Sequence, residues 1–121
     1  MMSVGTDIIE IERIENSMKN KRFFEYAFGE EEYEMLKIKK FSPESVAANF
    51  CAKEAFFKSI GTGIRGYGLK NVQVLRDEMG KPYFKLSGIA LEKAKENGYK
   101  FSVSLSHSKN YALATVLCYT E

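Results

Sequence analysis

The chain has 121 residues, a formal net charge of +2 at pH 7 and 45% hydrophobic residues. This size fits one domain with a buried core, and the small net charge does not imply a polyanionic partner such as nucleic acid. No apolar run approaches the roughly 20 residues of a membrane span, and the N-terminus lacks the basic start and cleavage site of a signal peptide. We therefore expect a single domain over residues 1–121, located in the cytoplasm, with no membrane or nucleic-acid partner.

Cysteine usage and charge distribution narrow the expectations further. Cys51 and Cys118 match no metal or redox spacing, so we expect two reduced, mostly buried thiols. Residues 1–52 hold 7 Lys/Arg and 10 Asp/Glu, whereas residues 53–121 hold 11 and 6. The basic half contains a glycine-rich segment, which favours a small phosphorylated ligand there, although a solvated surface explains the same counts.

The first half of the chain is predicted to be one strand followed by three helices. The strand covers residues 2–9, where Val, Thr and Ile dominate. Helical spacing of apolar residues then runs from about residue 10 to residue 20, and the basic residues at 19–22 stand at the end of this helix, where cations suit its dipole. Two further helices are predicted, one from Glu30 after Gly29 to Lys40, and one from Pro43 after the N-cap Ser42 to Ile60 before Gly61.

The second half is predicted to contain four strands and one helix. Strands at residues 69–76 and 81–86 are joined by a turn at 77–80, a helix covers 89–96, and strands at 99–105 and 111–119 are joined by a turn at 107–110. The order is β, three helices, ββ, α, ββ. We predict an α+β fold with a mostly antiparallel sheet.

The third predicted helix carries charged residues between aromatic ones. Phe50, Glu54, Phe57 and Lys58 share a stripe, because steps of +4, +3 and +4 keep them on one side. A carboxylate among aromatics is costly unless it is paired or binds a cation. One interpretation is a Glu54–Lys58 surface pair, and the other is a metal-binding carboxylate in the wall of a cleft, with Lys58 aimed at the same anionic ligand. A second face has small residues suited to close packing: Ala48, Cys51, Ala52, Ala55 and Ser59.

Asp7 is a second acidic candidate. Aspartate is unfavourable in a strand rich in Val, Ile and Thr. An edge position or a cap of the following helix would explain it. Alternatively, Asp7 and Glu54 together would form a two-carboxylate Mg²⁺ site, because Mg²⁺ is commonly held by one or two carboxylates plus substrate phosphates.

Two further segments have both a structural and a functional interpretation. Residues 61–68, GTGIRGYG, contain four glycines and Arg65, so backbone N–H groups could approach an anion closely. The segment matches neither the Walker nor the dinucleotide-binding pattern, and a flexible loop between a helix and a strand is the alternative. His107, the only histidine, ends an alternating run of serines, and spacing alone leaves its role open.

Four blocks of the chain together carry a family resemblance: GTDIIEIERI near the start, FCAKEAFFKSIGTGI in the middle, GKPYF at 80–84 and VSLSHSKNYA at 103–112. In their order and spacing they resemble the holo-acyl-carrier-protein synthases, the small trimeric type of 4′-phosphopantetheinyl transferase. The resemblance implies that family's fold and the transfer of 4′-phosphopantetheine from coenzyme A (CoA) to a serine of apo acyl carrier protein, in fatty acid biosynthesis, leaving adenosine 3′,5′-bisphosphate. It also implies Mg²⁺ as cofactor and a homotrimer with active sites between protomers.

The resemblance assigns roles to particular residues. Asp7 and Glu54 match the metal ligands, and Lys58 matches the lysine that faces the CoA phosphates, so Glu54 and Lys58 are the catalytic candidates. The predicted CoA-binding residues are Lys58, Gly61, Thr62, Gly63, Arg65, Lys81, Pro82 and His107. The predicted carrier-protein contacts are Arg13, which matches a family arginine, and Lys19, Lys21 and Arg22, which are added on charge alone.

One position departs from the family pattern. The resemblance implies an arginine immediately before the Phe of the middle block, where this chain has Asn49. If that arginine contacts nucleotide in relatives, this chain requires another cation. The candidates are Lys39, Lys40 and Arg65.

Two other functions stay open. One is a non-catalytic module that docks on an acidic carrier-protein helix, and the other is a different phosphodiester-processing enzyme such as a nucleotide hydrolase. The set of Asp7, Glu54 and Lys58 argues against the first, because docking needs no metal site.

Overall fold

The computed structural model describes residues 1–62 and 68–121. Within them lie five strands and five α-helices, and a 3-10 turn at Leu69–Asn71 precedes the second strand. In chain order they are β1 (Met2–Glu10), α1 (Ile11–Ser17), α2 (Lys21–Ala27), α3 (Glu30–Ile38), α4 (Pro43–Ile60), β2 (Val72–Arg76), β3 (Pro82–Leu86), α5 (Gly88–Asn97), β4 (Lys100–His107) and β5 (Tyr111–Tyr119).

The described strands form two separate antiparallel sheets. β1, β5 and β4 make a three-stranded sheet with β5 in the centre, and β2 pairs with β3 in a hairpin. In the larger sheet Asp7 lies opposite Ala114, which in turn lies opposite Leu105. The predicted α+β fold with antiparallel strands is confirmed, although the strands divide between two sheets.

The helices before β2 differ from the prediction, because there are four rather than three. α1 ends at Ser17, and the side chain of Asn20 accepts a hydrogen bond from the backbone N–H of Arg22 at 3.0 Å. Asparagine is a favoured N-cap, so this residue begins a separate helix, α2, instead of ending the first one. Lys21 and Arg22 therefore lie in the first turn of α2. The first residues of the predicted strand 69–76 also differ, because they form the 3-10 turn.

Helix α4 has the bounds that the sequence predicts. The Ser42 side chain accepts a hydrogen bond from the Ser45 backbone N–H, Pro43 occupies the first turn, and Gly61 ends the helix with a left-handed φ of 75°. At 18 residues α4 is the longest described helix. Neither α4 nor any other helix in the described ranges is long and apolar enough to cross a membrane.

The small-residue face of α4 packs directly on the larger sheet. Ala52 and Ala55 are fully buried. A Cβ added at Gly5 would lie 2.1 Å from the backbone oxygen of Ala55 and 2.4 Å from the backbone nitrogen of Ser59, so only glycine permits this approach. Asp7 follows Gly5 by two residues and shares its face of β1, which directs Asp7 toward α4.

The aromatic residues of the predicted stripe belong mainly to the core. Phe57 is 1% exposed, and its ring lies 5.3 Å from that of Phe56, centroid to centroid. Phe50 is partly buried, and its ring lies 5.6 Å from that of Phe23. Phe57 therefore lies in the core and not in the wall of a cleft, which was the prediction. Burying its ring in the core stabilises the fold by about 1.5–3 kcal/mol.

Candidate active site

Asp7 and Lys58 form an ion pair between β1 and α4. The Lys58 Nζ lies 3.1 Å from Asp7 Oδ1 and donates a hydrogen bond to the Thr6 backbone oxygen at 3.0 Å. The lysine side chain is 57% exposed and the aspartate side chain 19% exposed. Lys58 therefore pairs with Asp7 across two elements, and the predicted Glu54–Lys58 surface pair is not formed.

Glu54 stands one helical turn before Lys58 and is half-buried. Burial raises the pKa of its carboxyl group, and the nearby negative charge of Asp7 raises it further, while Lys58 and Arg13 act in the opposite direction. No hydrogen bond joins the Glu54 carboxylate to another side chain in the part of the chain that the structure describes. The structure thus brings two acids from distant parts of the sequence within electrostatic reach of each other.

The two acids and the lysine suit a divalent cation in chemical terms. Two carboxylates face one lysine, and Arg13 adds a second positive charge at longer range. Carboxylate oxygens are the hard donors that Mg²⁺ prefers, and Mg²⁺ completes its shell with water and substrate phosphates rather than an all-protein cage. Residues 1–62 and 68–121 contain no group of three or more His, Cys, Asp or Glu arranged to hold a metal.

Cys51 contacts the same aspartate. Its Sγ donates to the Asp7 backbone oxygen at 3.1 Å and lies 3.7 Å from Asp7 Oδ2. Burial raises the pKa of this thiol to about 12, with the Asp7 charge as the second cause, so the group stays neutral. The prediction of two buried free thiols is confirmed for Cys51 and Cys118. The contact with Asp7 was missed, because sequence alone does not show which strand the small face of α4 meets.

The glycine-rich segment is described only in part. Gly61 ends α4, and Thr62 follows it at the surface. The predicted CoA-binding residues Gly63 and Arg65 lie outside the described residues.

A separate cavity of about 570 Å³ lies toward the N-terminal end of α4, between that helix, β4 and the β2–β3 hairpin. This volume is within the usual range for small-molecule sites. The cavity brings together the predicted residues Lys81, Pro82 and His107, and also Lys39, one of the three cations proposed to replace the family arginine. The other lining residues are Glu44, Ser45, Ala48, Arg76, Gly80 and the β4 residues Ser102, Val103, Ser104, Leu105 and Ser106.

This cavity and the Asp7–Glu54–Lys58 cluster use different parts of α4. Ser45 and Ala48 line the cavity, and Glu54 and Lys58 follow Ala48 by 6 and 10 residues, which is about 9 and 15 Å along a helix. The structure therefore places the predicted site residues in two groups rather than one.

The predicted carrier-protein contacts lie on α1 and the segment after it. Arg13 is exposed on α1 and lowers the pKa of Glu54, which places it on the side of the carboxylate cluster. Lys19 is exposed between α1 and α2, and Lys21 and Arg22 are exposed at the start of α2.

A second ionic cluster, which the sequence did not predict, lies on the buried side of α4. Lys53 and Glu32 are both fully buried, and the Lys53 Nζ lies 2.6 Å from Glu32 Oε1. The same ammonium group donates to the backbone oxygens of Leu69 and Val72 at 3.0 and 2.8 Å. Burial lowers the pKa of Lys53 and raises that of Glu32, and each charge opposes the shift of the other. The cluster fixes α4 against α3 and β2.

Asn49 extends this buried cluster toward the cavity. Its Nδ2 donates to Glu32 Oε2 and to the Val74 backbone oxygen, both at 3.0 Å. Its Oδ1 accepts a hydrogen bond from Arg76 Nη2 at 2.9 Å. The cation in direct contact with Asn49 is thus Arg76, which was not among the three candidates predicted from the sequence.

Comparison with known families identifies the class of protein to which this fold and these two groups of residues belong. Residues 3–116 match the 4′-phosphopantetheinyl transferase superfamily, and the chain belongs to this family. The prediction of family and fold is thereby confirmed.

Individual relatives are similar over almost their whole length. The chain is 44% identical over 112 residues to holo-[acyl-carrier-protein] synthase of Clostridium botulinum strain Eklund 17B, which covers 92% of this chain and 91% of that protein. The crystal structure of holo-[acyl-carrier-protein] synthase from Neisseria meningitidis matches with a TM-score of 0.89, 32% identity and 98% coverage of both chains. The Bacillus anthracis enzyme in complex with CoA (3′,5′-ADP) matches with a TM-score of 0.83, 32% identity and full coverage of both chains.

Proposed function

We propose that the chain is a holo-acyl-carrier-protein synthase that transfers 4′-phosphopantetheine from CoA to a serine of apo acyl carrier protein. Family membership and the names of the relatives support this activity. The observation that carries the assignment of the site is the meeting of Asp7, Glu54 and Lys58 between β1 and α4. We also propose that residues 1–121 form one transferase domain, and the cytoplasmic location stays a prediction.

The reaction is a phosphoryl transfer. The serine hydroxyl oxygen attacks the phosphorus that carries the pantetheine arm, the bond from that phosphorus to the bridging oxygen of the pyrophosphate breaks, and adenosine 3′,5′-bisphosphate leaves. Glu54 accepts the serine proton, directly or through a water. Its carboxylate is half-buried beside Asp7 and makes no hydrogen bond to another described side chain, so it can accept one from the hydroxyl or the water.

Asp7 and Glu54 would hold Mg²⁺, and Lys58 would bind the same pyrophosphate. A bound Mg²⁺ would neutralise the negative charge that develops on the phosphate oxygens. Lys58 suits the neighbouring position, since its ammonium is more than half exposed and already lies beside Asp7. Electrostatic attraction from Lys58 would stabilise the departing bisphosphate.

We further propose that the active protein is a homotrimer with sites between protomers. The face of the larger sheet turned away from α4 exposes apolar side chains that a lone chain leaves in water. Met2 and Ile8 on β1 are 74% and 63% exposed, and Val4 and the β5 residue Leu113 are also exposed. Exposed apolar side chains gathered on one face of a sheet favour association. We propose that the cavity of one protomer and the carboxylate cluster of its neighbour together form one CoA site.

The basic residues of α1 and α2 would receive the carrier protein. Arg13 lies on the side of Glu54, and Lys19, Lys21 and Arg22 are exposed on the segment that follows it. Complementary charge would accelerate encounter with an acidic helix and orient its serine toward the carboxylate cluster.

Mass spectrometry of apo carrier protein incubated with the chain, CoA and Mg²⁺ tests the function. We expect a gain of about 340 Da, the mass of the phosphopantetheine arm added by the transfer. The gain should vanish with EDTA and return with excess Mg²⁺. Binding of the carrier without a gain in mass would support the docking module, and breakdown of CoA without modification of the carrier would support a hydrolase.

The variant Glu54→Gln tests the catalytic assignment. We expect a fall of about 10³-fold in the transfer rate, since both a metal ligand and the base are lost, with the circular dichroism spectrum unchanged. The matched control is Glu92→Gln, which removes an exposed carboxylate from α5 and should transfer at the normal rate. Normal turnover of Glu54→Gln at saturating Mg²⁺ would remove Glu54 from the mechanism.

A further inference from the structure

Arg76 is held in a defined orientation at the edge of the 570 Å³ cavity. It is the last residue of β2, and its side chain is partly buried. The Nη2 group donates to Asn49 Oδ1 at 2.9 Å, and the Nη1 group donates to the Leu75 backbone oxygen at 3.3 Å. These two contacts fix the plane of the guanidinium group.

The orientation of Asn49 is itself determined by the buried cluster. Its Nδ2 faces two acceptors, Glu32 Oε2 and the Val74 backbone oxygen, so the amide nitrogen must point toward them. The amide oxygen is therefore directed at Arg76. Hydrogen bonds from Asn49 to Glu32 and from Arg76 to Asn49 therefore hold a side chain at the cavity in place against a fully buried ionic cluster.

The guanidinium group retains donors for a ligand. Arginine has five N–H donors, and within residues 1–62 and 68–121 two nitrogens of Arg76 make one hydrogen bond each, which leaves three N–H groups. The cavity also contains Lys39 and Lys81, and Glu44 is the one acidic residue among the described residues that line it. Three cations against one carboxylate among these residues favour an anionic ligand, and the planar fork of arginine suits phosphate oxygens.

We propose that Arg76, oriented by Asn49, binds the 3′-phosphate of CoA. The inference rests on the proposed function. The pyrophosphate of CoA is assigned to the Asp7–Glu54–Lys58 cluster of the neighbouring protomer in the proposed trimer, so the 3′-phosphate is the phosphate of the substrate that remains for the cavity. Asn49 and Arg76 then act as a pair, in which a buried neutral amide positions a cation contributed by a different element.

The test compares CoA with 3′-dephospho-CoA in the wild type and in Arg76→Met. We expect Arg76→Met to raise the KM for CoA about 10- to 100-fold, as for loss of a charge-assisted hydrogen bond, with kcat changed less than about 3-fold. The KM for 3′-dephospho-CoA should be the same in both proteins, because the contact is already absent. An unchanged KM for CoA, or an equal rise for both substrates, would overturn the proposal.

Three further variants keep the result interpretable. Lys85→Met is the matched control, because it removes an exposed cation from β3 of the same hairpin and should leave both KM values unchanged. Arg76→Lys keeps the charge without the fork and should raise the KM for CoA less than Arg76→Met does. If Arg76→Met melts below the assay temperature, Arg76→Lys provides the same two-substrate comparison, and an equal KM for CoA in Arg76→Lys and wild type then counts against the proposal.

Asn49→Ser tests the positioning step. Shortening the side chain releases Arg76 without removing its charge, so we expect a smaller rise in the KM for CoA than in Arg76→Met, and the double variant should have the same KM as Arg76→Met alone. Additive effects would show that Asn49 does not act through Arg76. A wild-type chain that fails to modify the carrier would instead refute the proposed function, so the two failures are distinguishable.

Discussion

Lys53 and Glu54 are adjacent in sequence, but the structure places them in two ionic clusters of opposite character. Lys53 is fully buried, and its three N–H donors meet Glu32 and two backbone oxygens. Glu54 is half-buried, close to the like charge of Asp7 and without a hydrogen bond to another described side chain. A buried charge whose hydrogen bonds and counter-ion all come from the protein stabilises the fold. A carboxylate whose charge is only partly neutralised by its neighbours is instead suited to bind a cationic ligand.

The largest expected effect on stability comes from the buried cluster. Lys53→Met leaves the Glu32 carboxylate buried without its counter-ion, and we expect a loss of about 3–5 kcal/mol in the free energy of unfolding. Lys58→Met is the matched control, because Lys58 is exposed and its pair with Asp7 is worth about 0–1 kcal/mol. Urea denaturation measures both. Similar losses in the two variants would contradict the division into a structural and a functional cluster.

A smaller effect is expected at the contact between β1 and α4. Gly5→Ala introduces a Cβ that would lie 2.1 Å from the Ala55 backbone oxygen, so the helix must move away from the strand. We expect a loss of about 1–3 kcal/mol in the free energy of unfolding, as for other overpacked sites. The shift would also separate Asp7 from Glu54, so the transfer rate should fall more than stability alone explains. If Gly5→Ala had the stability and the transfer rate of the wild type, the close approach of β1 and α4 would not be what positions Asp7 and Glu54.

The smallest expected effect concerns Glu54 in the absence of metal. Because the folded state raises the pKa of Glu54, the folded chain binds the Glu54 proton more tightly than the unfolded chain, and this group contributes less stability as pH rises through its titration range. Glu54→Gln removes the charge, so in EDTA it should melt at or above the wild-type temperature near neutral pH. The difference should shrink on acidification. A Glu54→Gln variant that melts well below the wild type at neutral pH would show that the carboxylate stabilises the fold.

The sequence predicted most of the fold because its signals are local. Ser42 and Pro43 specify where α4 begins, and Gly61 specifies where it ends. The failure at α2 is equally local, since Asn20 follows one helix and caps the next, and the sequence does not show which role prevails. The predicted helix boundaries were therefore correct where a capping residue could act at only one helix end, and wrong where it could act at either of two.

The site was predictable only where residue type and family pattern coincided. Asp7, Glu54 and Lys58 were identified on both grounds, and the structure brings their charges together. The Glu32–Lys53 pair and the Asn49–Arg76 contact join residues 21 and 27 positions apart, and no periodicity in the sequence links them. Such contacts depend on how helices and strands pack, which sequence patterns alone do not specify.

The most direct test of the account is the melting temperature of the chain with CoA, measured with and without Mg²⁺. Ligands that bind only the folded state raise this temperature. If Asp7 and Glu54 hold a divalent ion against the pyrophosphate, Mg²⁺ should raise the temperature beyond the effect of CoA alone in the wild type, and this additional rise should disappear in both Asp7→Asn and Glu54→Gln. No additional rise in the wild type, or the same rise in the two variants, would contradict the central claim.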